Sequence, residues 1–139
     1  DTVVLLGETK EELGGSEDLK TIHGLVSGHP PLLDLDAESK LIWTLIEAAQ
    51  AGILNSAHDL SEGGLAIALA ESSFTPKGPV GVNVKLKDGR IREDALLFGE
   101  SQSRAIVSID QKNINSLERV ASKRGVPMEI IGEVGGDRF

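Results

Sequence analysis

Ile53-Leu54-Asn55-Ser56-Ala57-His58-Asp59-Leu60-Ser61-Glu62-Gly63-Gly64-Leu65-Ala66-Ile67-Ala68-Leu69-Ala70 is the stretch on which the reading of the whole chain turns. Residues 53–59 read as a short strand, the polar turn 59–63 as its end, and Gly64 to Phe74 as a helix apolar on nearly all sides, as a buried helix is. Upstream, a helical pattern starts at Asp36, places Leu41, Ile42, Leu45, Ile46 and Ala49 on one face, and closes at Gly52. Trp43 lies beside that stripe and is expected at the edge of the core. Thr2 to Leu6 is a strand-like run broken by Gly7 and followed by a glycine loop. Downstream, Pro79 to Leu86 alternates Val80, Val82, Val84 and Leu86, with a turn signal at Asp88-Gly89. Arg104 to Asp110 repeats the alternation with Ala105, Val107 and Ile109. Asn113 to Arg124 carries Ile114, Leu117, Val120 and Ala121 at helical spacing, and Met128 to Ile131 forms a last strand. Strands interleaved with helices predict one sheet covered by three helices. The clean period-two strands predict a sheet face left exposed, or covered by something outside this chain.

The chain has 139 residues with no Cys, so disulfides and Cys-ligated zinc are excluded. Its 14 Lys and Arg against 22 Asp and Glu give a net charge of −8, and only 3% of residues are aromatic. Nucleic acid wants the opposite charge and stacking platforms, so it is not an expected partner. Apolar runs fall short of the roughly 18–20 residues that span a bilayer, and no signal peptide opens the chain, so a membrane is not expected either. The start at Asp1 inside a strand, and the stop at Phe139 just after one, lead us to expect residues 1–139 to be a single domain excised from a longer protein.

Chemistry concentrates in three runs. In the turn 58–65, free backbone N–H groups at a helix start and paired glycines suit an approaching phosphate. Asp59 and Glu62 would repel that phosphate unless a divalent cation lay between them, the way Mg²⁺ commonly meets protein. Asp59 is therefore the candidate Mg²⁺ ligand, and Ser61, Gly63 and Gly64 the candidate phosphate contacts. The same residues equally suit a plain helix start, with Asp59 or Ser61 as cap and Glu62 favouring the dipole. A second run, Phe98-Gly99-Glu100-Ser101-Gln102-Ser103-Arg104, offers Glu100, Ser101 and Gln102 to a polar ligand, or is a solvated turn with an edge arginine. A third, Leu13-Gly14-Gly15-Ser16-Glu17, places Gly14, Gly15 and Ser16 as further phosphate candidates. It lacks the Gly-Lys-Ser/Thr of a P-loop, and Ser16 also suits the cap of a short helix. The three histidines show no metal-ligand spacing, and no nucleophile set points to covalent catalysis.

Leu13–Glu17, Ala57–Ala66 and Leu97–Arg104, in this order and spacing, resemble phosphoribosylformylglycinamidine synthase nearly end to end, most closely the last domain of its small-type synthetase subunit. The resemblance implies an α/β (α+β) fold with a single mixed, largely antiparallel sheet and helices packed on one face, similar to the C-terminal domain of aminoimidazole ribonucleotide synthetase. It implies an ATP-dependent C–N ligase of purine biosynthesis. The amide oxygen of formylglycinamide ribonucleotide is phosphorylated, and ammonia from glutamine then displaces the phosphate. It further implies ATP or ADP with Mg²⁺ as cofactors and a cytoplasmic setting. The implied partners are the N-terminal remainder of the same subunit, a glutaminase subunit and a small accessory subunit. This chain matches the second of two fused C-terminal halves, where the residues corresponding to Asp59 and Ser61 contact magnesium and nucleotide in large-type relatives. The first-copy counterpart of Glu100, Ser101 and Gln102 belongs to the substrate site. The family's catalytic histidine falls outside this chain, so no catalytic residue is expected in it, and the chain alone is expected to be inactive.

Overall fold

The computed structural model describes residues 1–75, 78–86 and 91–136. Its centre is β1 (Thr2–Leu6), five residues whose side chains are apolar on both faces. Such a strand must be paired on both edges and covered on both sides. It pairs antiparallel with β6 (Ala105–Ile109) on one edge and β7 (Met128–Val134) on the other. β2 (Leu54–Asp59) adds outside β6, and β5 (Val82–Val84) outside β7. The resulting five-stranded sheet has the order β2-β6-β1-β7-β5, every pairing antiparallel. A separate two-residue ladder joins β3 (Phe74–Thr75) to β4 (Gly78–Pro79).

The α/β architecture with a largely antiparallel sheet is as the resemblance implies, but the placement of helices on one face is corrected. Val4, Leu6, Ala105, Val107 and Ile109 pack beneath α2 (Leu35–Gln50) and α5 (Ile114–Arg124), through Leu41, Ala48, Leu117 and Ala121. Val3, Leu5, Ile106 and Ile131 pack on the opposite face against Leu65, Ala68 and Leu69 of α3 (Gly64–Ser73). The half-buried alternation of Val82, Val84 and Leu86 marks the margin of this second core, not a bare sheet face. Pro79–Leu86 is not one strand either, since only Val82–Val84 joins the large sheet. The Asp88-Gly89 turn lies outside the described residues.

Two short helices complete the chain, α1 (Glu17–His23) and α4 (Glu93–Phe98), the latter packed on α3. A single 3₁₀ turn at Gln111–Asn113 leads into α5. In α2 the buried face is Leu41, Thr44 and Ala48, rotated from the expected stripe, while Ile42 and Trp43 are exposed. Thr44 is tolerated inside because its hydroxyl donates to the Lys40 carbonyl at 2.8 Å.

Candidate functional site

The three polar runs, far apart in sequence, meet at one end of the sheet. Glu100, which accepts from the amides of both Gly63 and Glu17, joins them, and the loop that carries it is folded around Arg104, the largest fully buried side chain among the described residues, 2% exposed. Its guanidinium donates to the carbonyls of Ser101 (2.9 Å) and Gly99 (2.6 Å) and to the Thr9 hydroxyl (3.1 Å). Burial pushes the guanidinium down to about 10, opposed by the nearby negative charge of Glu12, so it remains cationic at neutral pH. One buried cation thus folds the loop 99–104 around itself and ties it to the segment after β1. Ser101 reinforces the tie, its hydroxyl accepting from the Lys10 amide at 3.1 Å. Ser103 is the only described non-glycine residue with positive φ, at 59°, and its hydroxyl donates to Glu38 of α2 at 2.6 Å.

The run Leu13–Glu17 is spent on structure. Ser16, 1% exposed, caps α1, its hydroxyl accepting from the Leu19 amide at 3.3 Å and donating to the Leu13 carbonyl at 2.7 Å. Gly14 lies so close to the following loop that a Cβ would stand 2.1 Å from the His29 carbonyl oxygen. Gly15 donates to the Ser27 carbonyl. None of the three faces the groove described below.

The turn after β2 is built differently from an ordinary helix start. Gly63 and Gly64 both take left-handed backbone, φ 79° and 64°, and no side chain of the turn caps α3. Gly64 sits against the backbone of 97–99, where a Cβ would lie 2.6 Å from the Gly99 carbonyl oxygen. The capping roles proposed for Asp59 and Ser61 are therefore not what the chain adopts. Glu100 bonds here instead, one carboxylate oxygen accepting from the amides of Gly63 and Glu17, each at 2.9 Å.

Asp59, Ser61 and Gln102 line a common groove of about 360 Å³, with Glu38, Leu41, Ile42 and Leu45 of α2 as its other wall. The Asp59 carboxylate is 81% exposed and meets only the His58 ring, Nδ1 at 3.9 Å. His58 Nδ1 itself stands 2.6 Å from the Asp59 carbonyl oxygen, and its Nε2 is 3.4 Å from Glu71. The Ser61 hydroxyl has no hydrogen bond among the described residues. Gln102 uses its amide nitrogen on the Glu100 carbonyl, at 3.0 Å, and its amide oxygen has no hydrogen bond among the described residues. No described cluster of three or more His, Cys, Asp or Glu could hold a metal alone. Mg²⁺ commonly meets protein through one or two carboxylates together with phosphate oxygens, and of the groove residues the exposed Asp59 carboxylate is the one that would hold it.

Of the candidates read from the sequence, Asp59, Ser61 and Gln102 converge on open space. Glu100, Ser101, Gly63, Gly64 and Ser16 lie in the framework beside it. Sequence reasoning missed Thr9 and Glu12 as parts of this assembly, and Arg104, whose guanidinium was expected to face a polar ligand or to lie as an edge arginine, is instead buried at its centre. The available signal was a charged residue directly preceding the strongly apolar strand Ala105–Ile109, a position from which its side chain can turn under the loop it follows.

The family model described as AIR synthase related protein, C-terminal domain, matches residues 1–139. Phosphoribosylformylglycinamidine synthase subunit PurL of Thermobifida fusca is 49% identical over 134 residues, covering 96% of this chain and 17% of that protein. T. maritima PurL complexed with FGAR superposes with a TM-score of 0.77 and 27% identity, covering 96% of this chain and 24% of that one. T. maritima PurL complexed with AMPPCP gives a TM-score of 0.70 at 25% identity, over 96% of this chain and 21% of that one.

Proposed function

The chain belongs to the family of AIR synthase related C-terminal domains, and from that premise we propose that residues 1–139 are a C-terminal domain of a phosphoribosylformylglycinamidine synthase subunit. The complete enzyme then uses ATP to phosphorylate the amide oxygen of formylglycinamide ribonucleotide. Ammonia from glutamine attacks the activated carbon and expels phosphate, leaving the amidine, ADP and inorganic phosphate. Support comes from the near end-to-end similarity to a PurL subunit, and from relatives whose structures carry FGAR in one case and a nucleotide analogue in another. The chain spans only about a sixth of that relative's length; in this reading the reaction is the work of the whole polypeptide, and the chain alone is expected to be inactive.

The single observation that carries a ligand role for this domain is the convergence of Asp59, Ser61 and Gln102 on one groove with unspent donors and acceptors. In this reading Ser61 donates its hydroxyl to a phosphate oxygen and Gln102 orients a polar ligand group. Asp59 holds the Mg²⁺, which when bound neutralises the charge between carboxylate and phosphate. The partners are the rest of the same subunit, a glutaminase subunit and a small accessory subunit, in the cytoplasm. No described helix is long and apolar enough to cross a membrane.

One observation favours a second reading. Glu100, Ser101 and Ser16 are consumed by internal hydrogen bonds, as suits a scaffold holding at most a structural Mg-nucleotide. Asp59→Asn in the complete subunit separates the two. ADP formation from formylglycinamide ribonucleotide, ATP and ammonia is followed, with circular dichroism and melting temperature as folding controls. Activity is expected to collapse on an intact fold. Retained activity with lowered stability supports the scaffold instead, and ammonia-dependent ATP consumption by the chain alone refutes its expected inactivity.

A further inference from the structure

We propose that Glu100 is a positioning residue that caps α3 from outside its own sequence and thereby leaves the Ser61 hydroxyl and the Asp59 carboxylate free for ligand. The inference rests on the nucleotide reading of the groove for its last step, and on hydrogen-bond geometry for the rest.

A helix start leaves N–H groups unsatisfied, and the usual remedy is a Ser, Thr, Asp or Asn side chain just ahead of the first turn. Here Asp59 and Ser61 precede α3 and neither performs that task, because the chain enters the helix through Gly63, which has no side chain. The carboxylate comes instead from 37 positions downstream, Glu100 accepting from the Gly63 amide at 2.9 Å. The same oxygen accepts from the amide of Glu17, the first residue of α1, also at 2.9 Å. One anion therefore lies at the starts of two helices, where the dipoles favour it.

Its own position is fixed from both sides. Arg104 holds the carbonyls of Gly99 and Ser101, and the Glu100 carbonyl accepts from Gln102. With the cap supplied by a strap this rigid, the turn 59–63 is held in place without using its own polar side chains. That arrangement explains why Ser61 lines the groove with no hydrogen bond among the described residues, and why Asp59 lines it with only the His58 ring against its carboxylate, although both are residue types that ordinarily cap. It also reassigns Glu100. One of its carboxylate oxygens already carries two backbone hydrogen bonds.

The test uses this chain with Glu100→Ala, Glu100→Gln and Ser61→Ala, and two readouts: amide hydrogen exchange at Gly63 and Glu17, and titration with Mg·ADP. Losing a cap whose acceptor is charged is expected to speed exchange at both amides by about tenfold in Glu100→Ala and to weaken Mg·ADP by a similar factor. Glu100→Gln keeps an oxygen in the same place and is expected to restore most of both. Ser61→Ala is expected to weaken Mg·ADP while leaving exchange at both amides unchanged. If Glu100→Ala weakens Mg·ADP with exchange at Gly63 and Glu17 unmoved, Glu100 touches the ligand directly and the proposal falls. It falls equally if neither readout moves, or if Ser61→Ala speeds exchange at Gly63. A parent chain that binds no Mg·ADP refutes the nucleotide reading, and the exchange data alone then decide for or against Glu100 as the cap.

Discussion

Arg104→Met is the substitution that tests the architecture of the site most directly. Methionine fills much of the same volume, so the change removes the charge and the hydrogen bonds and leaves little cavity. Two effects oppose each other. Depression of the guanidinium from its ordinary value to about 10 by burial corresponds to a charge-burial cost on the order of 3 kcal/mol, which the variant no longer carries. Against that, three hydrogen bonds from a charged donor are lost, at about 1.5–3 kcal/mol each. The hydrogen bonds win, and the expected net loss is about 4 kcal/mol, with the Gly99 and Ser101 carbonyls left without their donor. For a domain of this size that is a fall in melting temperature on the order of 10–15 °C. Urea titration followed by circular dichroism measures it, a shifted midpoint with an unchanged slope showing that stability alone has changed. Arg104→Lys should fall between the two, because a single ammonium cannot reach three acceptors spread around a planar fork. A loss below about 1 kcal/mol for Arg104→Met would refute the claim that this side chain organises the loop.

Gly64→Ala should cost roughly 2–5 kcal/mol, combining a left-handed backbone penalty with overpacking, because the new methyl would lie 2.6 Å from the Gly99 carbonyl oxygen. Gly24→Ala, with similar φ but nothing within 4 Å of the added carbon, should cost only about 1–2 kcal/mol. Parallel urea titrations giving equal losses would show that Gly64 is not needed for close approach. Asp34 caps α2, and the amides of Ala37 and Asp36 hold its carboxyl below the usual 3.8. A depressed acid stabilises the fold above its unfolded value and loses that contribution as pH falls through the folded value. Asp34→Ala should therefore melt lower than the parent at neutral pH, and the gap should narrow as pH falls below the ordinary carboxylate value. A gap that persists unchanged into acid would place the effect elsewhere than in the carboxylate.

Most of the fold was legible because it is written in local period. The unbroken apolar run Val3–Leu6 announces a strand buried on both faces, and Leu117 and Ala121 announce the inner side of α5. The rotation of α2 was not legible, since Thr44 counts as polar in any pattern until its hydroxyl is seen to bond the turn behind it. The second helical layer was missed for a related reason. Period-two alternation in Val82 and Val84 fixes which side chains face the sheet's interior, and says nothing of what arrives to cover them. The helix Glu93–Phe98 was also missed, being too short for a period to declare itself.

The site divides along the same line. Each of its three runs was conspicuous in the sequence, but the bonds that join them span 83 and 91 positions, Glu100 to Glu17 and Ser101 to Lys10, and no local pattern encodes such pairing. The consequence for reading function is specific. Within one motif, Glu100 and Ser101 face inward and hold the framework while Gln102, the next residue, faces the groove. Within another, Gly63 and Gly64 receive the framework while Ser61 stays open. A motif here is a junction between structure and ligand, and its residues separate into the two roles according to where their hydrogen bonds already go. By that criterion Asp59, Ser61 and Gln102 are the residues with capacity left, and substitutions at them should change binding before they change stability.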